Sequence, residues 1–463
     1  VLSSALYGAA FGAFPIFWVI YWAILLYRIT VDTGKFQTLK DSIAQLTTDR
    51  TLQALLIAFA FGAFVEGAAG FGTPVAVAAA ILGGLGFAAF EAAGICLLAN
   101  TAPVAFGSIA IPLVTLAATT GLPIELLSKY VGRLCAPVSL FIPAYLVLVM
   151  GGMRALRRVW PAALVCGVCF AATQFLVSNF IGPYLTDILA SLAAIVGLVT
   201  LLQVWHPTSL AARREQYSSR AIISAWSPYL LLTLFILLWS IDAVKAVLNR
   251  ASLTFTWPGL HNLVQQVPPV VVHAMPYAAV YRFRYLAEAG TACAVASFAT
   301  ALLLRVRPGR FLSLAAQSVD QLKFSFLSII AVLALAFVMN YSGATATLGL
   351  AFASTGRAFP YFSAMLGWLG VFLTGSDTSA NALFGNLQQV TAHRLGLNPA
   401  LLASANSAGG VMGKMISLQS IAVAAAAAGL QPKDEPALFR FTLKHSLLLA
   451  SVVGVLTLMY SSY

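Results

Sequence analysis

Charged side chains are scarce in this sequence. Only 9% of its 463 residues are Asp, Glu, Lys or Arg, whereas a soluble domain carries about 25%. This scarcity excludes an ordinary soluble fold. With 60% hydrophobic residues and a mean hydropathy of +0.90, the repeated apolar runs of about 20 residues predict an all-α polytopic membrane protein. The lipid bilayer is therefore its first expected partner.

Acidic residues are fewer than basic ones, which gives a formal net charge of +12. In a membrane protein Lys and Arg collect in cytoplasmic loops, so we expect no nucleic-acid partner. Cysteine is also rare, and the isolated C-x-x-C at Cys166–Cys169 lacks the second pair typical of a metal site. The apolar runs contain no nucleophile–base pair or phosphate loop. We therefore expect no metal, no cofactor and no enzymatic activity.

Two apolar runs are interrupted by helix breakers near a carboxylate. The run 52–87 has three glycines and a proline within Glu66–Pro74, which an ordinary helix cannot accommodate. Each flank is shorter than about 20 residues, so we predict a re-entrant helical hairpin with its tip at the break. The run 359–390 has a similar break at Thr374–Asn381. Irregular backbone at membrane depth is tolerated where it is packed in protein or lines a cavity, so both tips are candidate sites.

Each hairpin is followed by a span that is broken at an asparagine. The run 92–118 is interrupted at Asn100–Pro103 and at Gly107–Ser108, and the run 399–428 at Asn406–Gly410. GAFVEG over 62–67 also aligns with GVFLTG over 370–375. We predict a first repeat over 1–150, connecting spans over 151–322 and a second repeat over 323–463. Because each repeat crosses the membrane an odd number of times and four spans separate them, the repeats have inverted topology.

The basic clusters agree with this arrangement in most places. With the loop after the first span in the cytoplasm, the clusters on the cytoplasmic side are Arg154–Arg158, Arg213–Arg220, Arg305–Arg310 and Lys433–Lys444. The basic residues that fall outside are Arg282, Arg284 and Arg394. The turn Asn179–Pro183 is external in this topology.

Three further expectations concern the connecting regions. Phe311–Leu322 is predicted to be an amphipathic surface helix, separate from a span at Phe324–Tyr341. Glu91 and Asp187 lie near the ends of spans, so we expect both at the membrane interface. Asn249–Tyr285 is predicted to be a longer and more polar connection.

The helix breaks suit an anionic ligand. Backbone N–H groups at a broken helix carry partial positive charge, and neighbouring hydroxyls and amides add hydrogen bonds. We therefore predict a small carboxylate that also carries a hydroxyl. The alternative is that these groups only satisfy backbone freed at the breaks. The candidate substrate-binding residues are Gly67, Gly70, Gly72, Thr73, Asn100, Thr101, Gly375, Ser376, Thr378, Ser379, Asn381, Asn406, Ser407 and Lys414.

Glu66 and Asp377 are the candidate proton carriers, one at each tip. An apolar site favours the protonated form of a carboxyl group, which can then bind and release a proton near neutrality. The alternative is a structural carboxylate that caps a helix. Asp377 has more polar neighbours that keep it ionised, so Glu66 is the stronger candidate. Lys414 either pairs with Asp377 or a substrate carboxylate, or extends to the cytoplasmic interface.

Three long motifs closely resemble the bacterial L-lactate permease family. They are EGAAGFGTPVA over 66–76, NTAPVAFG over 100–107 and TGSDTSANALF over 374–384, and the resemblance covers essentially the whole chain. It implies a proton-coupled symporter of L-lactate, D-lactate and glycolate in the bacterial cell inner (cytoplasmic) membrane. It also implies kinship to transporters with two hairpins and two broken helices, which often move as elevators. Family members carry further membrane segments before the point where this chain begins, and the resemblance assigns no role to Lys414.

Other functions are kept as alternatives. The same fold could serve a sodium- or proton-coupled carrier of another small organic anion, either a dicarboxylate or gluconate. Two carboxylates would favour more fixed cations near the tips than Lys414 alone. A passive channel would need no protonatable coupling group. The expected partners are lactate or glycolate, protons and lipid, and a homodimer is left open.

Overall fold

Helices form from the apolar runs throughout the computed structural model, which describes residues 1–70, 72–205, 218–267 and 273–462. The first half contains α1 (Leu2–Asp32), α2 (Lys35–Ala44), α3 (Arg50–Ala68), α4 (Thr73–Gly84), α5 (Ala89–Ala99), α6 (Gly107–Thr120), α7 (Ile124–Phe180), α8 (Thr186–Val204), α9 (Ser219–Ser240) and α10 (Asp242–Asn249). The second half contains α11 (Ala289–Leu303), α12 (Pro308–Ser342), α13 (Ala344–Ala353), α14 (Phe359–Thr374), α15 (Asp377–Leu395), α16 (Pro399–Gly413), α17 (Leu418–Ala428) and α18 (Glu435–Ser461).

The number of long apolar helices confirms a polytopic membrane fold. Seven helices in the described ranges are long and apolar enough to cross a bilayer, and two bent pairs raise that number to nine. The seven are α1, α3, α7, α8, α9, α12 and α18. Backbone hydrogen bonds are satisfied within each helix, which is the solution that hydrocarbon demands.

The first predicted hairpin corresponds to α3 and α4, which contact each other on either side of a break at Ala69–Gly72. Gly70 and Gly72 have φ values of 60° and 80°, a conformation that glycine adopts without steric cost. Residues 51–68 of α3 are all buried, and the 19 residues of this helix would suffice for a span. The re-entrant path of this hairpin therefore stays a prediction.

The first broken helix is confirmed. It comprises α5 and a helical segment Val104–Thr120, which are bent by 65° about Asn100–Pro103. A second irregularity follows at the predicted Gly107–Ser108 position. Ser108, Ile109 and Ala110 have positive φ values of 47°, 58° and 60°, and such backbone costs roughly 1–2 kcal/mol per residue for L-amino acids.

The second hairpin also breaks where the sequence predicts. The helix α14 ends at Gly375, whose φ is 74°, and α15 begins at Asp377. The Ser376 side chain caps α15 by accepting a hydrogen bond from the Ser379 N–H at 3.3 Å. Asp377 thus lies in the first turn of a helix that starts at the tip.

The predicted break at Asn406–Gly410 was wrong. The helix α16 continues through these residues to Gly413, and a 45° bend follows at Lys414–Ser417. The glycines serve close packing instead, because a side chain at Gly409 would overlap the Ala364 carbonyl of α14. Helix α16 is buried from Ala400 to Gly413 and forms the centre of the second half, between α14, α15 and α18.

Two other predictions required correction. The surface helix Phe311–Leu322 and the span Phe324–Tyr341 form one continuous helix, α12, because no helix breaker separates them. The helix α13 was not predicted. The single long element α7 consists of two long helical stretches, because the backbone leaves the helical region at Gly152 and Val159.

The polar connection between α10 and α11 contains four short strands. They are β1 (Leu253–Thr256), β2 (Gln265–Gln266), β3 (Met275–Pro276) and β4 (Val280–Phe283), paired antiparallel as β1–β4 and β2–β3. The basic residues Arg213 and Arg214, used for the topology, lie outside the described residues.

Candidate functional site

A small cavity lies between the two hairpin tips and the two broken helices. It has a volume of ≈ 70 Å³, which suits a molecule of a few heavy atoms because one water needs roughly 10–15 Å³ of such volume. Its walls come from both halves of the chain. The lining residues are Glu66, Gly72, Val104, Gly107, Ser108, Ile111, Pro112, Gly375, Ser376, Asp377, Thr378, Lys414, Gln419, Ser420 and Val423.

Four helices begin at this cavity. Gly72 precedes α4, Ile111 and Pro112 begin the right-handed part of α6, Ser376 precedes α15, and Gln419 lies in the first turn of α17. The first N–H groups of a helix lack partners within it and carry partial positive charge. The cavity therefore combines N-terminal helix segments from both tips and both broken helices, an arrangement that favours an anion.

Glu66 lies in an apolar, glycine-lined part of the cavity. Its side chain is 3% exposed, and within the described ranges its Oε2 atom has no hydrogen-bond partner. A Cβ atom at Gly107 would lie 2.6 Å from Glu66 Oε1, so the carboxylate in this position packs directly against the glycine. Asn100 interacts with Glu66, but in the described structure neither of its amide atoms has a partner at normal hydrogen-bond geometry.

Asp377 has a more polar environment. Its Oδ2 atom accepts hydrogen bonds from Ser407 Oγ at 2.6 Å and from Asn381 Nδ2 at 3.3 Å. Its Oδ1 atom is buried and has no hydrogen-bond partner among the residues that the structure describes. Donors that hold one oxygen of a carboxylate favour its ionised form, so the charge of Asp377 has more hydrogen-bonding support than that of Glu66.

A network of side-chain amides begins at Asp377 and continues through other helices of the second half. Asn406 Nδ2 donates to Asn381 Oδ1 at 3.0 Å, and Gln388 Nε2 donates to Asn406 Oδ1 at 3.0 Å. Asn381 Nδ2 also reaches the Pro112 carbonyl of α6 at 3.1 Å. The network thus connects α15 and α16 to the first broken helix.

Lys414 is at the bend between α16 and α17 and lines the cavity. It is half-buried and interacts electrostatically with both Glu66 and Asp377. It belongs to none of the ion pairs within 4.0 Å in the described part of the chain. Lys414 therefore lines the cavity without a close ion pair to either carboxylate in the described structure.

The cavity brings together seven of the sixteen candidate residues chosen from sequence. Its walls include the predicted residues Glu66, Gly72, Gly375, Ser376, Asp377, Thr378 and Lys414. The predicted residues outside its walls are Gly67, Gly70, Thr73, Asn100, Thr101, Ser379, Asn381, Asn406 and Ser407. Thr101 donates to the Leu98 carbonyl at 2.7 Å, which is the structural role of a hydroxyl at a break.

Several lining residues were missed. Gly107 and Ser108 were noted as a break without being assigned to the site, although a break in this setting was itself the signal. Gln419 and Ser420 lie after the true bend of the second broken helix. Placing that bend at Asn406–Gly410 removed them from consideration.

The prediction that Asp187 lies at the membrane interface was wrong. It is 1% exposed, and neither of its carboxylate oxygens has a hydrogen-bond partner in the described ranges. It packs against Gly67, next to Glu66 in the chain. Its position near the end of a span suggested exposure, but the neighbouring helix α3 covers it.

The chain was compared with known proteins. The family model for L-lactate permease matches residues 1–462. An L-lactate permease of Bacillus subtilis (strain 168) is 46% identical over 490 residues, which cover 98% of this chain and 86% of that protein. The glycolate permease GlcA of Escherichia coli (strain K12) is 44% identical over 484 residues, which cover 99% and 86% of the two chains.

The solved structure of Neisseria gonorrhoeae MtrF, described as illuminating a class of antimetabolite efflux pumps, is 13% identical and has a TM-score of 0.49. The alignment of the two structures covers 96% of this chain and 80% of the MtrF chain. A likeness at this level supports no functional argument.

Proposed function

The chain belongs to the L-lactate permease family, and from this premise we propose that it is a proton-coupled symporter of L-lactate. Its proposed substrates include the related 2-hydroxymonocarboxylates D-lactate and glycolate, and its proposed location is the bacterial inner membrane. A relative named as a glycolate permease supports this substrate range. The observation that carries the proposal is the cavity in which four helix N-termini and Lys414 face Glu66 and Asp377.

The size and charge of the cavity favour a monocarboxylate. A volume of ≈ 70 Å³ leaves little room beyond a few heavy atoms. Lys414 is the basic residue among the described residues that line it, and a second substrate carboxylate would have no matching cation. Ser376, Thr378 and Ser420 supply hydroxyls at helix N-termini for the substrate carboxylate and its 2-hydroxyl group.

Charge balance in the cavity provides a reason for proton coupling. Among the described lining residues, the charged ones are Glu66, Asp377 and Lys414. With both carboxyl groups ionised, their sum is one negative charge, which opposes the entry of an anion. A proton on Glu66 removes that charge, so proton binding strengthens lactate binding. By linkage, lactate must strengthen proton binding by the same factor.

The transport cycle follows from this coupling. Glu66 takes up a proton from outside, and the carboxylate binds between the tips. The two tips and broken helices then move as one unit, and the substrate and proton are released inside. The inverted repeats at 1–150 and 323–463 supply this alternation in the proposal, as in other transporters with inverted repeats.

Uptake by proteoliposomes tests the proposed function. We expect a pH gradient, acidic outside, to drive lactate accumulation and a protonophore to abolish it, while a sodium gradient has no effect. Excess unlabelled glycolate or D-lactate should compete with labelled L-lactate, whereas a dicarboxylate or gluconate should not. Accumulation driven by sodium and indifferent to pH would reject proton coupling. Equilibration without accumulation would indicate a passive channel.

A further inference from the structure

A second buried carboxyl group lies close to Glu66. Asp187 is in the first turn of α8, which packs along α7 and against α3. Both of its oxygens are buried, and neither has a hydrogen-bond partner within the described ranges. An unpaired ionised carboxylate is costly in such surroundings, so this group is able to hold a proton.

Gly67 makes the approach of α8 possible. A Cβ atom at Gly67 would lie 2.9 Å from Asp187 Cβ, closer than real Cβ atoms approach, and 3.1 Å from the Ile188 backbone nitrogen, which is a tight contact. Asp187 interacts electrostatically with Glu66. Two further titratable groups near it are Tyr184, three residues earlier in the chain, and Cys135 of α7, which is buried and interacts with both Asp187 and Asp377.

A charged cavity lies one helical turn before Asp187. It has a volume of ≈ 110 Å³, and Tyr184 forms part of its wall. The ionisable side chains that line it are Glu125, Tyr184, Lys245, Arg284 and Glu288.

The charges of this second cavity form one close ion pair and one distant ion pair. Arg284 and Glu288 form an ion pair at 3.0 Å, and Lys245 lies 3.9 Å from Glu125. Burial raises the pKa of Glu288 above its ordinary value, and Arg284 opposes this effect. The predicted topology places this cavity on the external side, because it adjoins the turn Asn179–Pro183 before α8. We name it the outer cavity.

We propose that Asp187 is a proton relay that connects the outer cavity to Glu66. The Asp187 carboxylate accepts a proton from hydronium in the external solution, which leaves a water molecule, and becomes a carboxylic acid. It then gives this proton to the Glu66 carboxylate, which becomes neutral while Asp187 returns to its ionised form. This inference rests on the proposed proton-coupled symport. It adds a route by which protons reach Glu66 from outside without passing through the substrate cavity, whose walls do not include Asp187.

The substitution Asp187→Asn tests the relay, because it keeps the shape of the side chain and removes its titration. Exchange of internal for external lactate at equal pH moves no net proton, so the variant should retain it. Accumulation driven by a pH gradient needs a proton in every cycle, so the variant should lose it. Ser191→Ala on the same helix is the matched control. Ser191 is buried and donates to the Ile188 carbonyl at 2.9 Å, and its replacement should leave both activities unchanged.

Each outcome either supports or overturns the proposal that Asp187 is a proton relay. Exchange without accumulation in Asp187→Asn, with a normal Ser191→Ala control, would support it. Accumulation equal to that of the unmodified protein would overturn it. Loss of exchange as well as accumulation would also overturn it, since a group that only carries protons is not needed for exchange. If lactate accumulation by the unmodified protein is driven by a sodium gradient and not by a pH gradient, the proposed function itself fails, independently of the variants.

Discussion

Glu66 and Asp377 line the same cavity from opposite tips, but they differ in how firmly they are held. Asp377 accepts two side-chain hydrogen bonds on one oxygen and joins an amide network that extends to Gln388. Glu66 lies against Gly107, with Oε2 unpartnered in the described ranges. The charge of Asp377 has hydrogen-bonding support, whereas Glu66 is placed where a change of protonation breaks few contacts.

This difference explains how two similar tips divide the work of a symporter. Donors around Asp377 stabilise its charge, which then balances Lys414. Glu66 has no such donors at normal geometry in the described structure, so its charge depends on whether it holds a proton. Each tip can be weakened separately, and the predicted consequences differ.

The largest effect is expected at Lys414, which faces both carboxylates. Lys414→Gln leaves an anion site without its side-chain cation, so we expect kcat/KM for lactate to fall roughly 10–100-fold, or about 1.4–2.8 kcal/mol. Lys414→Arg keeps the charge and should recover part of this loss. Initial rates of uptake in proteoliposomes measure both. Unchanged transport in Lys414→Gln would mean that the side chain extends to the interface instead.

The next largest effect is a loss of stability, which we expect to be greater at Gly410, beside Asp377, than at Gly107, beside Glu66. A side chain at Gly410 would overlap Asp377 Oδ1 and lie 2.9 Å from Val371. Gly410→Ala should therefore destabilise the protein by about 1–3 kcal/mol, as overpacking usually does. Gly107→Ala should cost less, because Glu66 can move away without breaking hydrogen bonds. Thermal unfolding in detergent measures the two changes.

Gly83→Ala is the control for this pair, since a Cβ atom there would have no atom within 4 Å among those described. Alanine is favoured over glycine within a helix, so this variant should be as stable as the unmodified protein or more stable. Equal destabilisation by Gly410→Ala and Gly107→Ala would show that the two carboxylates are held equally firmly. That result would contradict the contrast between the tips.

The smallest effect is expected at Ser108, which fixes the first tip through a neutral hydrogen bond. Its Oγ donates to the Ala69 carbonyl at 2.8 Å, and Ser108→Ala should cost about 0.5–1.5 kcal/mol. Ser108→Gly also removes this bond but relieves the positive φ of 47°. We therefore expect the glycine variant to be the more stable of the two. The reverse order in thermal unfolding would argue against the left-handed backbone.

The breaks at the two hairpin tips could be predicted from sequence because glycine and proline act locally. Gly70 and Gly72 adopt positive φ values at the first tip, and Gly375 does so at the second. The same local rule failed at Gly409 and Gly410. There the glycines lie within a continuous helix and leave room for Ala364 and Asp377 of neighbouring helices. The structural role of these glycines therefore depends on the helices that pack against them.

The burial of Asp187 could not be predicted for a related reason. Its position near the start of α8 indicates only that it is close to a span end. What buries it is contact with Gly67, on a helix far away in sequence. The substrate cavity was likewise predicted through its helix breaks, whereas Gln419 and Ser420 entered it through a bend that only the packing of α16 determines.

Lactate-dependent proton movement tests the central contrast most directly. In lightly buffered proteoliposomes, the pH change outside should be recorded as lactate is added, and divided by the lactate taken up. We predict one constant ratio for the unmodified protein and Asp377→Asn, even if the variant is slower. Glu66→Gln should exchange lactate without moving protons. Proton movement that persists in Glu66→Gln and disappears in Asp377→Asn would contradict the account.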